Sequence, residues 1–187
     1  MKITKAQSQE NRARIVETAS ALFRERGYDG VSVADLMAAA GLTHGGFYKH
    51  FDSKTDLIAE TVGHGNAHIP GQDQGGGIEQ FIDFYLSRAH RDGRSDGCTM
   101  AALSGDAARQ PADIKGTFAA GIESRLAMVG QDQVRTEALA LFAHMLGAVV
   151  LSRACPDDSP LADEILAVCR QRILAALALP AGHEQTV

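Results

Sequence analysis

The sequence predicts an all-α protein of about nine helices, with a three-helix head at the N-terminus and a larger helical body behind it. Apolar residues recur three and four apart along segment after segment, which is the period of one helix face. Ser, Thr and Gly stand at the breaks between these segments, where helices begin and end. The one place where a β-hairpin could turn, Gly45-Gly46, follows residues of helical period that do not alternate.

The head is the easier part to divide. Ile15, Ala19, Leu22 and Phe23 define a first helix over about 9–26, with Gly27 as its stop. Ser32 is placed to cap a second helix, and Asp35 follows three residues later near the positive helix end. Val33, Leu36, Met37 and Ala40 form its apolar face. Gly41 ends it, and Leu42 can fold back onto it. Thr43 is expected to cap a third helix, in which Phe47 and Phe51 lie one turn apart on the inner side. Ser53 is expected to cap a fourth, through Asp56, Leu57 and Ile58. A short helix, a Gly-containing turn and a second helix make a helix-turn-helix.

That motif explains an otherwise odd stretch, GLTHGGFYKHF, from Gly41 to Phe51. Glycine weakens a helix by about 1 kcal/mol relative to alanine, so two in succession at a helix start call for a reason. A recognition helix enters the major groove with its N-terminal residues against base edges. Gly45 and Gly46 would let its backbone come close. With Phe47 and Phe51 turned inward, Tyr48, Lys49 and His50 are left near the outer face, with groups suited to phosphates or bases.

VSVADLMAAAGLTHGGFYKHFDSKTDLIAE resembles the DNA-binding segment of TetR/AcrR-type transcriptional regulators. The similarity covers about residues 12–62, including IVETASALFRERGYDGVSV, the Gly-x-x-x-Gly core of GLTHG, the FY pair, the following HF, and SK at the next helix start. It implies that Ser32, Thr43, His44, Gly46, Tyr48, Lys49, His50 and Lys54 face DNA. It also implies a repressor that binds a palindromic operator as a homodimer and is released by a small apolar or amphipathic effector. The domains would be 1–64 for DNA binding, with its connecting helix, and 65–187 for ligand binding and dimerisation.

The body is less diagnostic. HIPGQDQGGG (68–77) reads as a Gly/Pro-rich connector and hinge. Ile78, Phe81, Ile82, Tyr85, Leu86 and Ala89 predict one amphipathic helix, and RDGRSDG (91–97) a loop. Helices are expected over 98–109, after Pro111, over 132–153 and over 161–178. The 132–153 segment is apolar nearly all round, and Ala143, Gly147 and Ala148 would allow close helix contact. Leu161, Ile165, Val168, Ile173 and Leu177 add a face on the next helix. The two segments are the expected homodimer interface. Phe81, Tyr85, Met100, Phe118, Ile122 and Met145 are ligand-pocket candidates by residue type and helix position.

Composition narrows the function. The formal net charge is −5 and the pI about 5.8, against a generic nucleic-acid coat but not against a local reading head. Residues 1–60 carry 8 Lys+Arg and 8 Asp+Glu, so the remainder, with 10 and 15, holds the whole excess. Three cysteines at no metal-like spacing fit a reducing cytosol. No apolar leader opens the chain, and the most apolar stretch, Ala138–Leu151, reads as too short for a bilayer, so the location expected is cytoplasmic. His64 and His68 have ligand spacing, but no third ligand is evident; neither a metal nor a cofactor is expected. No Gly-x-Ser-x-Gly or phosphate-loop pattern suggests an enzyme. Cys98, at a helix start with Arg91 and Arg94 near in sequence, is a redox candidate, and the alternative function is a thiol-based sensor of oxidants or electrophiles on the same scaffold. A helical interaction module that does not bind DNA is a weaker third reading.

Overall fold

The computed structural model describes residues 4–67, 77–129 and 134–178. Nine α-helices and one 3-10 helix account for them, with no strand among the described residues. The head contains α1 (Lys5–Arg26), α2 (Val33–Ala39), the 3-10 helix (His44–Lys49) and α3 (Lys54–Ala67). The body contains α4 (Ile78–Tyr85), α5 (Arg88–Asp92), α6 (Thr99–Ala107), α7 (Ala112–Val129), α8 (Arg135–Ala154) and α9 (Pro160–Leu177).

Local chemistry sets most of the helix ends. α1 starts a turn earlier than its apolar spacing suggests, because the Thr4 hydroxyl accepts a hydrogen bond from the Gln7 N–H at 3.2 Å. Gly27, at φ +73°, ends it in a conformation that L side chains rarely adopt. Ser32 and Asp35 form a reciprocal capping box at the start of α2. Gly41, at φ +68°, closes α2, and the Leu42 N–H reaches back to the Met37 carbonyl at 2.8 Å. The Asp56 N–H donates to the Ser53 hydroxyl at 3.1 Å at the start of α3.

The predicted single helix over 78–89 is two. Ser87 donates its hydroxyl proton to the Phe84 carbonyl at 2.7 Å and accepts from the His90 N–H at 3.2 Å. One serine thus closes α4 and caps α5, an alternative to the helix ladder that its short polar side chain offers. α5 also takes in Arg91 and Asp92, which sequence reading assigned to a loop.

α3 packs against α1 and also against α7, so it joins head to body. The expected boundary at residue 64 falls inside it. Gly65 lets α3 approach α6: a Cβ there would collide with the Thr99 hydroxyl. Buried apolar residues run without a break from Ile15, Phe23, Leu36 and Phe47 in the head to Ile82, Met100, Ile114 and Val149 in the body. α8 and α9 pack side by side. α8 is longer than the Ala138–Leu151 stretch: its twenty residues are long and apolar enough, by length and composition, to cross a membrane. Ala138, Leu141, Met145, Ala148 and Val149 are nevertheless buried in the protein.

The connector over 68–76, with His68, lies outside the described residues, as do residues 132 and 133 of the expected 132–153 helix. Among the described residues no group of three His, Cys, Asp or Glu side chains is placed to hold a metal, and His64 is exposed on α3.

Candidate nucleic-acid interface

Two phenylalanines hold the segment expected to read DNA. Phe47 is completely buried and Phe51 nearly so, with ring centroids 5.6 Å apart. The segment is a 3-10 helix rather than the expected α-helix. Thr43 stands at its N-cap position, but its hydroxyl makes no cap hydrogen bond; the Gly46 N–H bonds to the Thr43 carbonyl instead, at 2.8 Å. The hydroxyl stays available on an exposed residue.

What remains faces outward. Thr43, His44, Gly45, Tyr48 and Lys49 are exposed, and Gly46 and His50 are half-buried. Tyr48 is 64% exposed although its ring packs edge-on against Phe47, with centroids 5.3 Å apart. Burial first, and then the positive charges of Arg12 and Lys49, lower the pKa of His50 and favour a neutral ring that can both donate and accept.

The glycines behave differently from a packing requirement. A Cβ on Gly45 would meet nothing within 4 Å, and one on Gly46 would make only ordinary contacts, 3.5 Å from Met37 Cε and 3.6 Å from Thr43 Oγ1. Nothing inside the fold demands two bare residues here.

Two of the residues expected to face DNA also make hydrogen bonds within the fold. Lys54 points inward: its ammonium donates to the Tyr28 carbonyl and sits 5.9 Å from the Phe23 ring centroid. Ser32 is exposed, but its hydroxyl accepts from the Asp35 N–H at 3.1 Å and donates to the Asp35 carboxylate at 2.5 Å. The Ser32 hydroxyl and then the Ser32 N–H, both donating to the Asp35 carboxylate, hold it below its ordinary pKa.

Sequence reasoning missed Arg12. Its guanidinium donates to the His50 carbonyl and to Glu60, and lies 4.2 Å from the Phe51 ring centroid. It ties α1 to the end of the reading segment and to α3. The partners are 38 and 48 residues away, so no local pattern announces them.

In the body, Tyr85, Met100, Phe118 and Met145 are buried, and Phe81 and Ile122 pack against the same core. The Thr99 hydroxyl is buried without a hydrogen-bond partner among the described residues, and the buried Tyr85 hydroxyl lies beside Cys98. Cys98 is 4% exposed and is the N-cap residue of α6. Its N–H donates to His90 Nε2 at 3.2 Å, while His90 Nδ1 is 2.7 Å from the Tyr85 carbonyl. The ring must therefore carry its proton on Nδ1. Burial chiefly, opposed by the Tyr85 hydrogen bond and assisted by Arg153, lowers the His90 pKa to about 4. Arg24, Arg125 and Arg153, distant in sequence, come within electrostatic reach of Cys98. Arg91 is buried and binds Asp92 and the Asp157 carbonyl.

Residues 15–61 match the family model described as "Bacterial regulatory proteins, tetR family". The HTH-type transcriptional regulator TtgR of Pseudomonas putida is 42% identical over 55 residues, 29% of this chain and 26% of that protein. The chain thus spans about a quarter of the length of the first curated relatives it matches. The overall fold is similar to a crystal structure of a TetR transcriptional regulator from Chloroflexus aurantiacus, with TM-score 0.74, 24% identity, and coverage of 92% of this chain and 96% of that one. It is also similar to the reduced form of Escherichia coli NemR, with TM-score 0.72, 19% identity, and coverage of 92% and 100%.

Proposed function

We propose that this protein is a TetR-family transcriptional repressor that binds a palindromic DNA operator as a homodimer and is released by a small apolar or amphipathic effector in the cytoplasm. Residues 1–64 form the DNA-binding unit and 65–187 the ligand-binding and dimerisation unit. The observation that carries the reading is the segment from Thr43 to Lys49. Its aromatic anchor is buried, its polar groups are exposed, and its two glycines answer no demand from within the fold. Such a surface suits close approach to DNA, with the helix N-terminus and Lys49 on phosphates and His44 and Tyr48 near base edges.

Dimerisation is supported by apolar surface on α8 and α9. Leu139, Val150 and Leu151 on α8, and Leu161 and Val168 on α9, are each between 42% and 60% exposed. Ala143 is exposed and Gly147 half-buried on α8, and a Cβ on Gly147 would meet nothing within 4 Å. A second copy packed on this face would bury the patch and set two reading segments at a fixed spacing. The effector site is assigned to the core around Phe81, Tyr85, Met100, Phe118, Ile122 and Met145, beside the contact of α3 with α6. An effector that favours one placement of α3 shifts the population of operator-competent dimers.

The thiol-sensor alternative draws on Cys98 at a helix start amid three arginines. Its burial argues for the ligand reading, because oxidants reach exposed thiolates. Selection of bound sequences from random duplexes tests the main reading: a two-half-site consensus is expected, and absence of any enriched sequence overturns it. Gly147→Glu is expected to give monomers that lose this operator; an intact dimer in sedimentation removes the interface assignment. Peroxide-dependent release that disappears in Cys98→Ser would favour the alternative.

A further inference from the structure

A cleft of about 550 Å³ opens where the end of α1 meets α6 and the end of α8. One wall belongs to the head and carries Arg24 and Arg26; the other belongs to the body and carries Arg94, Arg109 and Arg153. Glu25, Asp29 and Asp106 also line it, leaving two more cations than anions. Arg109 is paired with Asp106 at 2.6 Å.

Cations at helix C-termini need no ligand to explain them, and Arg24, Arg26 and Arg153 stand in such last turns. Two observations go beyond that. Arg24 donates to the Ser95 carbonyl and the Ser20 hydroxyl, each at 2.6 Å, and Arg153 donates to the carbonyls of Arg91 at 2.8 Å and His90 at 3.0 Å. Arg153 Nη1 is nevertheless buried without an acceptor among the described residues. Arg94 is exposed in the loop between α5 and α6, and its side chain makes no hydrogen bond or ion pair among the described residues. Burial, and then repulsion from Arg94, hold Arg153 below its ordinary pKa.

We propose that this cleft binds a compact oxyanion with at least two negative charges, of the phosphate-ester or polycarboxylate class, bridging the arginines of the head to those of the body. Guanidinium forks match both chemistries in bidentate geometry, and the volume lies within the range of small-molecule sites. A ligand that touches both walls favours the arrangement that keeps them together. Any effect on operator affinity must be mirrored in anion affinity.

Calorimetric titration of the full chain with pyrophosphate and with citrate, at physiological salt and without DNA, tests this independently of operator binding. One saturable site per chain is expected. The arm that binds more tightly identifies phosphate or carboxylate as the preferred chemistry. Replacing the exposed Arg26 and Arg94 together by Ser should weaken binding at least tenfold, and Glu25→Gln should tighten it. Arg172→Ser, which removes an exposed charge on α9 away from the cleft, should change nothing. No saturable binding overturns the proposal, as does equal binding by the double variant or an equal loss in Arg172→Ser.

Discussion

The head and the body use different means to hold short helices in place. In the head, α2 and the 3-10 helix are seven and six residues long, well below the length at which an isolated helix persists in water. Caps, glycine stops and a few fully buried aromatics hold them. The body has short helices too, α4 to α6, but its three longest, of 18 to 20 residues, are held mainly by apolar contact; it buries His90, Arg91, Thr99 and Arg125, whereas the polar residues buried in the head, Asn11, Ser20 and Thr61, lie on α1 and α3. A short helix carrying its own end signals can leave one face free for a partner. A long helix in a shared core transmits displacement. The difference accords with the proposed division between a DNA-reading head and a ligand-responsive body.

The largest effect should come from the head's anchor. Phe47→Ala is expected to cost about 3–5 kcal/mol, because a completely buried ring leaves a cavity. Denaturant melts should show the head lost and operator binding gone with it. A variant that still binds operator with native affinity would show that the segment does not depend on this ring, and the contrast with the body would fail.

Next in size is a pH effect confined to the body. His90 titrates near 6.5 in the unfolded chain and at about 4 in the folded one. Between those values the unfolded chain binds the proton and the folded chain does not. Stability is therefore full above about pH 6.5 and falls as pH drops toward 4, by up to about 3 kcal/mol. His90→Gln should flatten this dependence in chemical denaturation between pH 4.5 and 7 (a range on the order of the two pKa values). A variant with the parental slope would move the effect to another group.

Two lysines sharpen the contrast within the head. Lys54→Ala removes a charged hydrogen bond to the Tyr28 carbonyl and should cost about 1.5 kcal/mol in the melt while leaving the salt dependence of operator binding unchanged. Lys49→Ala should leave the melt unchanged and flatten the salt slope by about 1, the contribution of one phosphate contact. Reversed outcomes would exchange their roles.

The smallest effect is the most discriminating. Gly45→Ala meets no steric obstacle and should stabilise the head by about 0.5–1 kcal/mol. It should also weaken operator binding if the backbone approaches DNA closely. Raised stability with undiminished affinity would leave the glycine pair without a functional reason.

The sequence by itself determined what depends on residues four or fewer apart. It identified nearly every helix, the Ser32–Asp35 cap, the Gly27 and Gly41 stops and the inward pair Phe47 and Phe51, because hydrogen-bonded turns and helix faces repeat over that distance. Even at this range Ser87 was misread, since a serine that splits a helix looks like one tolerated within it. Only the tertiary structure decided which side chains meet across long separations. Arg12 reaches Glu60; Lys54 turns to Tyr28; Arg24, Arg125 and Arg153 come near Cys98; and five arginines from α1, α8 and the loops beside α6 share one cleft. Helix crossing angles and contact positions fix these meetings, through packing that follows the whole core rather than any local run of residues.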